Sequence, residues 1–403
     1  MRLFARVRIA LIAACVVHAA PAAAQARPLT RSAAVQTALE RGARLGVAQA
    51  DTAVANAQLI TARVFPNPTL SASVSKSFPT KHVTFDIPLD FPMLRQLRIQ
   101  SAQVGVRAAH LRYIFARAMI ALDADTTYTR ALAARARVQL SRRTALDADS
   151  LLHMVERRRD AGDASDMDVE LARVSAGQQA NVAIGDSLTL SSTLLDLQAV
   201  LGFTSDGLEI EPADSLTAPP APATPAATSI NESAAQLSLE SASLAARLQH
   251  RSVWSQFSVS AGFEQGDPGQ PGILPTFGVG IGLPFFDRNR GPIATAEAER
   301  LRAQAELTLA QVQAKNELAH AMRERENALA KIARDRALVA SADRVAAMSL
   351  TAYREGASSL PNVLEAQRSA RDILAQYVDD LANAWVATAE LRVFSLTPSS
   401  PVP

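Results

Sequence analysis

The chain has 403 residues, a single cysteine, 5% aromatic and 48% apolar residues, so it is neither a disordered tail nor a disulfide-stapled fold, and a Cys-based zinc site is excluded. Its 41 basic and 39 acidic residues are spread along the chain, which argues against nucleic acid as a partner, because phosphate binding needs a concentrated basic face. After residue 17 no apolar run approaches the ~20 residues that a spanning helix needs, so a polytopic helical membrane protein is ruled out.

In chain order the first element is an address. Arg2, Arg6 and Arg8 precede the apolar stretch 9–17, and small residues follow up to Ala24-Gln25-Ala26. This is the pattern of a secretory signal, with cleavage expected after Ala26. A second reading is a lipoprotein: Ile12-Ala13-Ala14-Cys15 resembles a lipobox and makes Cys15 a candidate for acylation. Both readings take the chain out of the cytoplasm.

Residues 29–64 read as a helix. Two segments of period two follow: Leu70, Ala72, Val74 and Phe78 alternate with serines, and Val83, Phe85, Ile87, Leu89 and Phe91 alternate with polar residues. From Val106 to Ala161 there is no glycine or proline, and apolar residues recur at helical spacing. Gly162 suits the left-handed turn after a helix end, and Ser165-x-x-Asp168 reads as a capping box opening a return helix to about Leu201. The Pro-rich stretch 218–229 is a linker.

The second half repeats this order. A helix is expected over 230–253, then strands around Phe257–Phe263 and Phe277–Leu283, whose other face carries Gly278, Gly280 and Gly282. A helix free of Gly and Pro spans 293–355; Gly356 ends it, and Pro361 fits the first turn of the return helix to Phe394. Gly162-x-x-Ser165 and Gly356-x-x-Ser359 lie 194 positions apart, as do Ile99-Gln-Ser-Ala102 and Ile293-Ala-Thr-Ala296. The expected organisation is therefore signal 1–26, first repeat 27–204, linker 205–229, second repeat 230–396 and tail 397–403. Each long helix, at about 63 residues, is roughly 95 Å in length.

Strands of about ten residues, apolar on one face, match a tilted transmembrane strand; a half-buried soluble sheet is the other reading. Four membrane strands cannot close a barrel, and an open edge in lipid costs several kcal/mol per unpaired amide, so the strands must be shared between copies. The physics does not choose the number of copies.

Phe65-Pro66-Asn67-Pro68, the run Leu283-Pro284-Phe285-Phe286-Asp287-Arg288-Asn289-Arg290-Gly291, Tyr353-Arg354-Glu355-Gly356 and the two Gly-x-x-Ser hairpins resemble the TolC family of outer-membrane efflux proteins. Asp-Arg-Asn-Arg-Gly after an apolar strand looks most like its heavy-metal (CzcC-type) branch, with drug-efflux members left open. The resemblance implies a mainly helical homotrimer: a twelve-stranded barrel in outer-membrane lipids, continuing into a periplasmic α-barrel. It also implies an exit duct served by a periplasmic adaptor and an inner-membrane transporter, with no enzymatic activity and no cofactor. One departure is Gly42-Ala-Arg-Leu45, where members commonly carry Asn-Pro.

By alignment on Gly356 the resemblance places a periplasmic gate at Asn362 and Glu365, with helix initiation as the other reading of both residues. The hairpin tips, Gly162, Asp163, Ser165 and Asp168 with Gly356, Ser358 and Ser359, are candidates for adaptor docking. Arg157-Arg158-Arg159 reads as a solvated face near a helix end. His82, His110, His153, His250 and His320 are scattered, and no metal site is expected from them. The competing reading of the whole is a secreted coiled-coil scaffold or adaptor that never enters a membrane.

Overall fold

A computed structural model describes residues 27–203, 210–221, 229–254 and 257–397. The export signal and Cys15 lie outside the described residues. The chain is mostly helical with a small sheet. In order it forms β1 (Arg27–Leu29), α1 (Arg31–Arg41), α2 (Ala43–Arg63), β2 (Thr69–Val74), β3 (Lys81–Pro88), α3 (Pro92–Asp160), α4 (Asp166–Val200), β4 (Ile210–Pro212), α5 (Ile230–Arg251), β5 (Phe257–Asp267), β6 (Gln270–Ile281), α6 (Arg290–Arg354) and α7 (Leu360–Phe394). The order helix, strand, strand, long helix, helix is traversed twice.

Two rods dominate. α3 has 69 residues and α6 has 65, each roughly 100 Å long. Each folds back at a glycine onto a 35-residue partner, α3 onto α4 and α6 onto α7. Their seams are made of alanine. In α6, Ala296, Ala303 and Ala310 are buried at intervals of seven, and after a shift the seven-residue spacing resumes at Ala321 and Ala328. Small residues every seven positions let neighbouring backbones lie close along a shallow supercoil. Where α3 meets α5 the contact becomes polar: Ser101 and Ser241 each donate a hydroxyl to the other's carbonyl at 2.9 Å.

The N-terminal region differs from the single helix expected over 29–64. Residues 27–29 are a strand paired in parallel with β4, and the helix breaks at Gly42. Gly42 is extended (ψ 119°), and a Cβ there would strike the Ala38 carbonyl, so a residue with a side chain would force the junction apart. The break stands where the resemblance leads one to look for Asn-Pro. α3 also starts earlier than its Gly-free stretch, at Pro92, because proline is preorganised for a first helical turn.

Part of the stretch read as a linker is anchored. Tyr128 on α3 donates to the Leu29 carbonyl at 2.7 Å and to Asp214 Oδ2 at 2.8 Å, and Asp214 also receives the Arg31 amide. Arg31 bonds Asp125 and stacks over the Trp385 ring at 3.8 Å. Burial, together with the Asp214 carboxylate, pushes the Tyr128 phenol up to about 12. This knot draws α1, α3, α7 and residues 210–217 together midway along the rods.

Candidate channel wall and hairpin tips

β2, β3, β5 and β6 form one antiparallel sheet in that order. Its register carries the side-chain alternation across all four strands. Leu70, Phe85, Ala261 and Phe277 stand in one row, and Ile87, Val259 and Val279 in the next on the same face. Ser71, Thr84, Gly262 and Thr276 form a row on the other face, as do Ser73, His82 and Glu264, and the alternation gives way only toward the hairpin ends, where Leu274 joins that polar row and Lys81 and Gln265 stand beside Val74. Period-two pattern and pairing therefore agree, which fixes the register, since a one-residue slip would exchange the faces. The apolar face is bare within one chain: Leu70 is 72%, Val74 80%, Phe277 84% and Val279 70% exposed. β2 and β6 each pair on one side only, leaving both sheet edges open.

The polar face is kept thin. A Cβ at Gly278 would lie 2.6 Å from Ser260 Oγ, and one at Gly262 would run into the Val83 carbonyl, so the strand glycines permit close approach. His82 Nδ1 meets Glu264 Oε1 at 3.2 Å across β3 and β5. β2 and β3, at six and eight residues, are shorter than the ten expected. Their pairing stops where Ser75 N bonds Thr80 O at 2.8 Å and the chain turns through 75–80, with a proline that offers no ladder donor. After β6 the chain turns into α6 at Asn289, which takes a left-handed conformation (φ 60°) while its side-chain Nδ2 donates to Gln249 O at 2.9 Å and to Ser252 Oγ at 2.8 Å.

At the far end the hairpins share one geometry. Gly162 (φ 85°) and Gly356 (φ 76°) follow the helix ends, and the next residues, Asp163 and Ala357, donate back to Arg158 O and Ala352 O at 2.8 Å. The Ser165 capping box is complete: Ser165 Oγ accepts the Asp168 amide, and Asp168 receives the Ser165 amide, both at 3.1 Å. Pro361 lies in the first turn of α7, but Ser359 makes no side-chain cap.

The tips are joined. Leu151, Val155, Val169 and Ala172 of the first hairpin pack with Tyr353, Leu360 and Val363 of the second. Arg158 donates to the Tyr353 carbonyl and lies 4.7 Å above its ring, so this arginine is a tie rather than part of a solvated face. Burial pushes the Tyr353 phenol up while Arg158 pulls it down. Asn362 and Glu365 are exposed on α7, on the side away from buried Leu360 and Val363. Gly162, Asp163, Ser165 and Gly356 are exposed too, while Asp168 and Ser358 are half-buried.

Two carboxylate groupings went unread in the sequence. Asp335 and Asp380 are buried together between α6 and α7, with Lys331 Nζ 3.6 Å from Asp380; burial and the Asp380 carboxylate push Asp335 up. His320, Glu324 and Glu390 offer donor atoms that all lie within 4.8 Å of one another. The His320–Glu324 spacing of four was visible in the sequence, but Glu390 comes from α7. Among the described residues no helix is long and apolar enough to cross a membrane.

Residues 231–395 match the family model described as outer membrane efflux protein. A curated relative, the cobalt-zinc-cadmium resistance protein CzcC of Cupriavidus metallidurans, is 27% identical over 297 residues, covering 70% of this chain and 69% of its own. The fold is that of solved channels. A CusC structure described in terms of transmembrane channel formation has a TM-score of 0.77 at 18% identity, over 90% of this chain and 91% of its own. The outer membrane protein VceC of Vibrio cholerae has a TM-score of 0.75 at 18% identity, over 91% and 96%. The second half of the chain, residues 231–395, thus matches the outer membrane efflux protein family, and the fold of the whole is that of solved outer-membrane channels.

Proposed function

We propose that three copies of the chain join their sheets into a twelve-stranded barrel in the outer membrane, continued by the long helices as a periplasmic tube. The protein is the exit duct of an efflux pump, and in this reading each chain supplies one third of its wall as two structural repeats, 27–204 and 230–396. The observation that carries it is the sheet: apolar rows in register over four strands, bare on one face and unpaired at both edges. Lipid covers such a face, and neighbouring copies satisfy such edges. A soluble scaffold would leave the same face in water. The relative's name favours metal cations as cargo. Docking at the hairpin tips by a periplasmic adaptor, itself linked to an inner-membrane transporter, completes the pump.

Fractionation tests this directly: the protein is expected in the outer membrane as a trimer in mild detergent, and recovery as a periplasmic monomer would sink the proposal. Glu365, exposed in the second turn of α7, is the candidate gate carboxylate beside Asn362. Three such groups around a narrow pore favour cations. Glu365→Gln is therefore expected to lower cation selectivity in planar bilayers and to alter single-channel conductance, and unchanged values in both would remove the gate from this residue.

A further inference from the structure

The buried alanine seam of α6 breaks at one place. After Ala296, Ala303 and Ala310 the seven-residue interval points to position 317, which is a glutamate, and burial resumes four residues later at Ala321. An insertion of four locally unwinds a supercoil and turns different side chains toward the neighbouring helix. Beside this break stand His320, Glu324 and, from α7, Glu390. His320 Nδ1 lies 3.3 Å from Glu324 Oε2. Glu390 is half-buried, and Arg325, next to Glu324 on α6, is engaged with the Thr388 hydroxyl at 3.1 Å.

We propose that His320, Glu324 and Glu390 bind a divalent transition-metal ion, zinc for example, between α6 and α7. One imidazole and two carboxylates are a donor set suited to such an ion, and three protein ligands leave a fourth position for water. Around zinc with bonds near 2.0–2.1 Å, tetrahedral donors sit roughly 3.3 Å apart. One pair is already at that separation, and the donors as a whole, all within 4.8 Å, need to close by about 1.5 Å at most. His320 and Glu324 are exposed, so rotamer changes supply that movement. Two of the three donors are carboxylates, and one of them, Glu390, is half-buried between the helices. A divalent cation neutralises that cluster. It also fastens α7 to α6 at the level where the alanine seam is interrupted.

This site does not depend on the duct reading, since uptake of metal is measured without conductance. Tag-free protein in detergent, stripped with chelator and dialysed against zinc chloride, is expected to retain one zinc per chain in its tightest class. His320→Ala and Glu390→Gln are each expected to weaken that class at least ~10-fold, while Glu326→Gln, outside the cluster, leaves it unchanged. Zinc should raise the melting temperature of the wild type and not of the two variants. X-ray absorption at the zinc edge of the wild type needs no variant to fold, and should show one imidazole nitrogen with oxygen donors. A wild type that takes up no zinc at micromolar concentration, variants that bind as it does, or a shell without imidazole would each overturn the proposal.

Discussion

The two hairpins of the chain close with the same backbone turn and differ in almost everything around it. The α3–α4 tip has a glycine in the left-handed region, a complete capping box and two acidic residues in the first turn of the return helix. The α6–α7 tip has the same glycine and the same return hydrogen bonds, but Ser359 makes no side-chain cap and no acid stands in the first turn. The rods differ too, because the α6–α7 contact contains the buried pair Asp335 and Asp380, and the α6 seam breaks at Glu317. The geometry is equal and the reinforcement is not: the α3–α4 tip keeps its cap, and the α6–α7 tip is held by fewer local bonds. A gate at Glu365, on the less reinforced hairpin, is consistent with that division.

The largest expected effect would blur the contrast. Leu360 is fully buried in the cluster shared by both tips, so Leu360→Ala should cost about 2–5 kcal/mol in chemical denaturation. It should also speed amide exchange at 166–172 as well as at 360–366; exchange confined to α7 would mean that the tips do not support each other. Next come the glycines. Gly162→Ala and Gly356→Ala each force a side chain into the left-handed region and should cost about 1–2 kcal/mol, by equal amounts if the turns are equivalent. The sharper test is the caps: Ser165→Ala should cost about 1 kcal/mol, whereas Ser359→Ala should cost only a few tenths. Equal costs would refute the asymmetry.

The smallest effect is best read in its pH dependence. The folded state holds the Asp335 proton more tightly than the ordinary value of 3.8, so its contribution is fully present below that value and is lost as pH rises through the folded one. Asp335→Asn should therefore melt above the wild type at pH 7, and the gain should shrink as the pH falls toward 4.

Much of this was legible in the residues. The alternation in 70–91 and 257–283 and the Gly-free stretches specify strand and helix by period alone, and Ser165-x-x-Asp168 announces its own cap. Local signals end where a partner is distant in sequence. Nothing near Arg158 points to Tyr353, and nothing near His320 points to Glu390, because each pair meets only when two rods lie side by side. The break at Gly42 and the β1–β4 pairing were hidden for the same reason: a helical pattern runs through 29–64, and the strand partner lies some 180 residues on. The shortening of β2 and β3 was a local matter, readable from Pro79 and Pro88.

The two free edges of the sheet, β2 and β6, are different strands. When copies add head to tail, one offers its β6 where the next offers β2, and every addition exposes the same pair of edges again. Such a contact contains no instruction to stop. Whether copies end in a ring or run on as a ribbon depends on the angle each turns from the last, and so on sheet curvature, which the close-packed glycines on the polar face help to set. A side chain placed at Gly262 or Gly278 would clash where it stands and, by bending the sheet to relieve the clash, would also act on the angle between copies.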